Sequence, residues 1–231
     1  MSIAALMAAF VDVHTAVPAS GSAATDGALA PYSALARSPA AATLLALARA
    51  AIERHWELVG EREGRPTASA PDTAQATAWP AVPVAVYVSL VSGHATRACV
   101  GREGTSFATL SDAVQALAVE ALAADRRRPP VRCEELSGLR LVITFAGEGE
   151  PIADPMLADP ARQGLSISTP RGFVAFLPGE ARTVAWALRE ARRIGVLTGS
   201  VSAASYRRFP VVLLSEPEAR ASAREARDEG R

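Results

Sequence analysis

Apolar positions three and four apart begin at Leu44 and run through Leu45, Ala48, Ile52 and Trp56, with Arg49, Glu53, Arg54 and Glu57 opposite, which predicts an amphipathic helix. Ser38-Pro39 ahead of it predicts a hydroxyl N-cap followed by a proline in the first turn, where no N–H is needed. At Val82 the period falls to two. Val84, Val86, Val88 and Leu90 share one side and Ala85, Tyr87 and Ser89 the other, the pattern of a strand. Ser92-Gly93 can turn the chain, so residues 94–100 are read as the second arm of a hairpin that ends at Gly101. Thr109 with Asp112 three residues later opens a second helix along Leu110, Val114, Leu117, Ala118, Ala121 and Leu122, stopping near Asp125. Leu139, Leu141, Ile143 and Phe145 alternate with Arg140, Val142 and Thr144 as a half-buried strand. Residues 165–169 and 173–177 form a second hairpin around Pro170-Arg171-Gly172. A third helix follows over about 180–194, with Ala181, Val184, Leu188 and Ala191 inward and Gly195 as its C-terminal cap, and a last strand lies near 209–214. Hairpins interspersed with helices, and few βαβ crossovers, predict an α+β fold.

A chain of 231 residues suits one ordinary domain that buries a core without disulfides or metals. It is 49% hydrophobic and 21% charged, and no stretch approaches the roughly 18 unbroken apolar residues of a membrane span. Lys+Arg and Asp+Glu both number 24, so no net charge draws the chain to nucleic acid or anionic lipid, and neither partner is expected. All 24 of those cations are arginine, which reflects a GC-rich coding bias and lends arginine counts little weight. Two cysteines are too few for a disulfide framework or a four-ligand zinc site, which points to a reducing compartment, the cytoplasm. Residues 1–36 are read as a variable lead, in which 1–24 is a short helix or disordered, with secretion as the alternative; no basic n-region precedes its apolar run. Residues 37–216 are taken as the domain, with a Gly- and Pro-rich flexible insertion at 60–80, and 217–231 as a charged, solvated tail.

An ordered series of motifs from Leu44 to Glu216 resembles the AMMECR domain family, named after a human gene and found in microbes as protein A of the AmmeMemoRadiSam system. Residues 44–49, LLALAR, resemble the family's opening LLxLAR helix, and 86–90, VYVSL, its FVTL or FVSL strand. Thr96-Arg97-Ala98-Cys99-Val100-Gly101 stands where the family has LRGCIG, and 125–131, DRRRPPV, resembles its DPRFPPV, followed by the Glu135-Leu136 pair. Leu177-Pro178 resembles the LLP segment and 193–196 the KAGL segment, and Phe209 falls in the aromatic closing region. Thr96 and Ala98 replace a leucine and a glycine, Arg128 an aromatic, and Gly179-Glu180 a glutamine-valine pair, so the chain reads as a divergent member. The resemblance implies two mixed α/β repeats around a barrel-like, largely antiparallel sheet. It also implies an accessory or interaction role beside a Memo-like, dioxygenase-type protein and a radical-SAM enzyme.

Arg97 and Cys99 are two apart in an extended segment and are therefore expected on one face, where a guanidinium would favour the thiolate. That makes them candidate catalytic residues, and a small molecule a candidate ligand. Packing is the competing reading, because free cysteine is among the most buried residue types. Thr96, Ala98, Val100, Gly101, Asp125, Arg127 and Glu135 are candidate binding residues around the signature. Gly101 either admits a ligand to the backbone or simply ends a strand, and the polar trio either joins the site or forms surface ion pairs worth little. Cys133 is read as a gap filler. His55 and His94 lie apart from each other without a paired metal-ligand spacing, and no phosphate-binding glycine loop occurs, so no cofactor or metal is expected. The 126–128 arginine run and Arg207-Arg208 lack the stacking aromatics of a nucleic-acid surface. A third alternative is a protein that kept the fold and lost the site.

Overall fold

The computed structural model describes residues 23–60, 85–125 and 127–217; the 61–80 part of the expected insertion, residues 82–84 and the tail beyond Pro217 lie outside them. α2 (Ala40–Leu58) and α3 (Leu110–Glu120) pack together over one face of a four-stranded antiparallel sheet in the order β2-β1-β3-β8. The strands are β1 (Ala85–Ser92), β2 (Ala95–Glu103), β3 (Arg140–Ala146) and β8 (Val211–Ser215). Leu44, Ala48, Ile52 and Trp56 are buried, as the helical spacing requires, against Val86, Val88, Leu90, Leu141, Ile143 and Phe145 of the sheet. The Thr109 cap is present: its hydroxyl accepts the Asp112 N–H at 3.1 Å.

A second four-stranded antiparallel sheet has the order β4-β7-β5-β6, from β4 (Glu150–Ile152), β5 (Gly164–Thr169), β6 (Gly172–Phe176) and β7 (Ser205–Phe209). α4 (Val184–Arg193) covers one face of it, burying Val184, Ala187 and Ala191 with Leu165, Ile167, Val174 and Phe176. The fold is thus α+β, with two antiparallel sheets and helices on each; the sheets remain open and do not close into one barrel. β7 runs straight into β8 through Pro210, and the Gly147 N–H after β3 donates to the Pro210 carbonyl at 2.9 Å, so both chain crossings between the sheets share one corner. Among the described residues no single helix is long and apolar enough to cross a membrane.

Four differences from the pattern reading have physical causes. α1 (Ala23–Ala36), unforeseen, buries Leu29, Tyr32 and Leu35, and the Tyr32 ring lies 4.2 Å from that of Phe145. Ser38 does not cap α2; its hydroxyl donates backward to the Leu35 carbonyl at 2.8 Å, closing the end of α1. The third helix starts at Val184, because the Thr183 hydroxyl accepts the Trp186 N–H at 3.1 Å and so outcompetes any start at Glu180. The closing strand is two strands broken at Pro210.

Candidate functional site

The face of the first sheet turned away from its helices carries Tyr87, Ser89, Cys99, Gly101 and Thr144, which sit opposite one another across β2, β1 and β3. Against this face a small apolar cluster draws Tyr87, Cys99 and Val211 from the first sheet to Ala175, Leu177 and Phe209 of the second. The signature segment therefore lies in the seam between the two sheets.

Gly101 stands directly opposite Tyr87, and a Cβ at Gly101 would come within 2.1 Å of the Tyr87 ring. That ring alone accounts for a glycine here. The second sheet repeats the device: a Cβ at Gly164 would meet the Phe209 ring at 2.0 Å. Ala98 and Val100 are buried on the opposite face, in the core beneath α2 and α3, so neither can line a site at the seam. Thr96 is partly buried near the start of β2.

Arg97 does not sit beside the thiol as strict alternation would have it. The register slips between Leu90 and Val91, so Leu90 faces Ala98 while Val91 faces Thr96, and Arg97 is the extra, bulged residue. Its guanidinium donates to both carboxylate oxygens of Glu135 at 2.6 and 2.9 Å and to the Pro129 and Pro130 carbonyls at 3.0 and 3.1 Å. Glu135 in turn accepts the Arg132 N–H at 2.8 Å, and these bonds hold its carboxyl below the usual carboxylate range. Arg97 and Glu135 thus fasten the 129–135 loop to the signature strand.

The edge of β2 is covered by Asp125, which accepts the Cys99 N–H at 2.9 Å. Arg127 then donates to both Asp125 oxygens at 2.9 Å and, with its remaining arm, to Glu180, whose other oxygen accepts the Leu177 N–H at 3.2 Å. Asp125 and Glu180 side chains are each 6% exposed and Arg127 14%, so this is a buried triad tying the β2 edge to the β6–α4 connection. Arg127, with its backbone N–H and that of Cys99, holds Asp125 below its ordinary range despite burial. Glu180, in a triad whose net charge is negative, is raised, chiefly by burial. Glu180 enters the sequence reading as the start of the third helix and as a departure from the family pattern, not as a residue of the site.

Burial pushes the Cys99 thiol up to about 12, Glu180 adds to the rise, and a Ser89 hydrogen bond and Arg127 only partly oppose it. Tyr87 is also raised, chiefly by burial. Thr144 is fully buried and its hydroxyl has no hydrogen-bond partner among the described residues. Cys133 and Leu136 pack against the first core, outside this group. Arg207 donates to the Gly149 carbonyl at 2.9 and 2.6 Å and Arg208 to Glu150 at 2.9 Å, so both hold β4 in place. Among the described residues no three or more His, Cys, Asp or Glu are grouped to hold a metal ion. The seam joins two sheets by apolar contact and one buried charge clamp, and these surroundings push the pKa of its partly exposed cysteine up.

The AMMECR1 family model matches residues 45–208, a span that includes the signature strand, the Asp125–Arg127 turn and Glu180. No curated protein matches the chain. Among solved structures, the chain is similar to the uncharacterised protein PH0010 from Pyrococcus horikoshii. The two are 21% identical with a TM-score of 0.51 over 76% of this chain and 90% of that one, which speaks for the fold. With its ordered motifs carried on this two-sheet frame and the family model spanning most of its length, the chain belongs to the AMMECR1 family.

Proposed function

We propose that this AMMECR1-family protein is an accessory, interaction component that acts in the cytoplasm beside a Memo-like, dioxygenase-type protein and a radical-SAM enzyme. The observation that carries the non-catalytic half of this reading is the state of the signature cysteine. Cys99 is held as a thiol beside Glu180, and Arg97, the cation expected to activate it, is committed to Glu135 and the two proline carbonyls. A nucleophile needs thiolate character and access; this residue has a raised pKa and is only partly exposed where it packs into the seam. The partner half rests on family membership and on the implication of the motifs.

The test is reconstitution. The purified full chain is mixed with the Memo-type and radical-SAM proteins of its own genome and sedimented at physiological salt. A complex is expected with wild type and Cys99→Ser alike. Wild-type protein sedimenting alone would refute the accessory reading, and a complex that forms normally while Cys99→Ser abolishes an activity would transfer the argument to the thiol.

A further inference from the structure

Away from the seam, the turn end of the first hairpin borders a cleft of about 540 Å³, bounded by the β1–β2 turn, the start of β3 and the chain after β8. Its volume lies within the roughly 300–1,000 Å³ typical of small-molecule sites. Val91, Leu139 and Pro217 give it apolar walls, and Arg140, His94 and Ser137 bring polar groups to it.

The charges in this cleft are not evenly partnered. The Glu216 carboxylate is fully committed: it accepts from Arg49 and from the Leu141 N–H at 2.7 Å, while Arg49 also donates to the Leu139 carbonyl at 2.8 Å. That pair makes a rigid, internally neutral wall. Arg140 is different, because its guanidinium donates only to the Ser215 hydroxyl at 2.8 Å and has no carboxylate partner among the described residues. A guanidinium stays charged at any physiological pH and presents a planar fork of donors that matches a carboxylate two to two. His94, exposed in the turn, also lines the cleft and offers a second polar group to it.

We propose that this cleft binds a small organic carboxylate with an apolar body, its anionic end on Arg140 with His94 assisting and its body against Leu139, Val91 and Pro217. The apolar wall distinguishes this class from a simple inorganic anion, and the neutralised Glu216 removes the local charge that would repel it. The site is independent of the seam and of the partner reading above.

Benzoate is the probe, titrated into the full chain with acetate and inorganic phosphate for comparison, and followed by amide and arginine side-chain NMR shifts. Saturable shifts confined to residues 91–94, 137–140 and 216–217 are expected at roughly millimolar benzoate. Acetate should bind about tenfold more weakly, a difference of about 1.4 kcal/mol for the missing ring. Arg140→Gln should weaken benzoate at least about tenfold, while Arg171→Gln in the distant β5–β6 turn should leave it unchanged and both variants keep the wild-type melting temperature. No saturable shift in these segments, equal binding of benzoate by Arg140→Gln, or phosphate binding as well as benzoate would overturn the proposal.

Discussion

Replacing Arg127 by methionine keeps most of the side-chain volume but leaves two carboxylates in the seam without their cation. In the native protein three side-chain hydrogen bonds run from Arg127 to Asp125 and Glu180, whose side chains are each only 6% exposed. Breaking a buried ion pair by removing one partner costs about 3–5 kcal/mol, because the surviving charge keeps its desolvation penalty. Asp125 would retain the Cys99 N–H and the residue 127 backbone N–H, and Glu180 the Leu177 N–H, so the lower end, about 3 kcal/mol, is the working figure. For a domain of this size that corresponds to a fall in Tm of about 6–12 °C. The deficit should shrink as pH falls, since protonating the carboxylates relieves it, and Glu180, already raised by burial, should accept its proton first. Urea unfolding of wild type and Arg127→Met at pH 8 and pH 5 measures both quantities. A loss under about 1 kcal/mol at pH 8, or one that grows on acidification, would refute the picture of a buried clamp.

Three further perturbations probe the same seam. Gly101→Ala places a Cβ against the Tyr87 ring and should cost about 1–3 kcal/mol, with a smaller cost in a Tyr87→Ala background, because the clash needs both partners; equal costs in the two backgrounds would remove the pairing argument. Glu180 is raised in the folded state, so the fold loses stability as pH climbs from the ordinary carboxylate value through that raised value. Glu180→Gln should therefore flatten the fall in stability as pH climbs above the ordinary carboxylate range, and an unchanged slope would place the titration elsewhere. Asp125 is lowered, so its contribution is present above the ordinary aspartate range and lost only as pH drops through the lower folded value. Asp125→Asn should accordingly destabilise at neutral pH and converge on wild type in acid, as read from thermal melts.

Periodicity exposed those parts of the fold where one face of an element is buried and the other is not. Val86, Val88 and Leu90 lie in the core as the alternation requires, and the Thr109 and Gly195 caps sit where their chemistry places them, Gly195 with a φ of +80°. Elements whose identity depends on tertiary partners were not legible. α1 has little amphipathic contrast and a proline at position 31, and earns its place by laying Tyr32 on Phe145. β4 is three residues with a proline at its centre, an edge strand held by arginines from β7.

The site was half legible for a related reason. The sequence singled out Arg97, Cys99, Gly101, Asp125, Arg127 and Glu135, and the structure does bring them to the edge of one strand and the loop that covers it. Alternation alone placed Arg97 beside the thiol, and a one-residue bulge, which leaves no mark in composition, moved it to the loop. Glu180 lies 53 residues from Arg127 and meets it only because the second sheet folds back on the first. A buried carboxylate in place of the family's glutamine-valine pair was the available signal.

The central claim is that the signature cysteine is a packed thiol and not a nucleophile, and the pH profile of its alkylation in the native protein tests that most directly. Cys99 modification followed by mass spectrometry from about pH 6 to 10 should be slow throughout, without an inflection near neutrality, unchanged by Arg97→Ala, and fast only on unfolding. Rapid labelling of native Cys99 near neutral pH that slows in Arg97→Ala would contradict the account, because it would mean an accessible thiolate held by the cation the structure commits to Glu135.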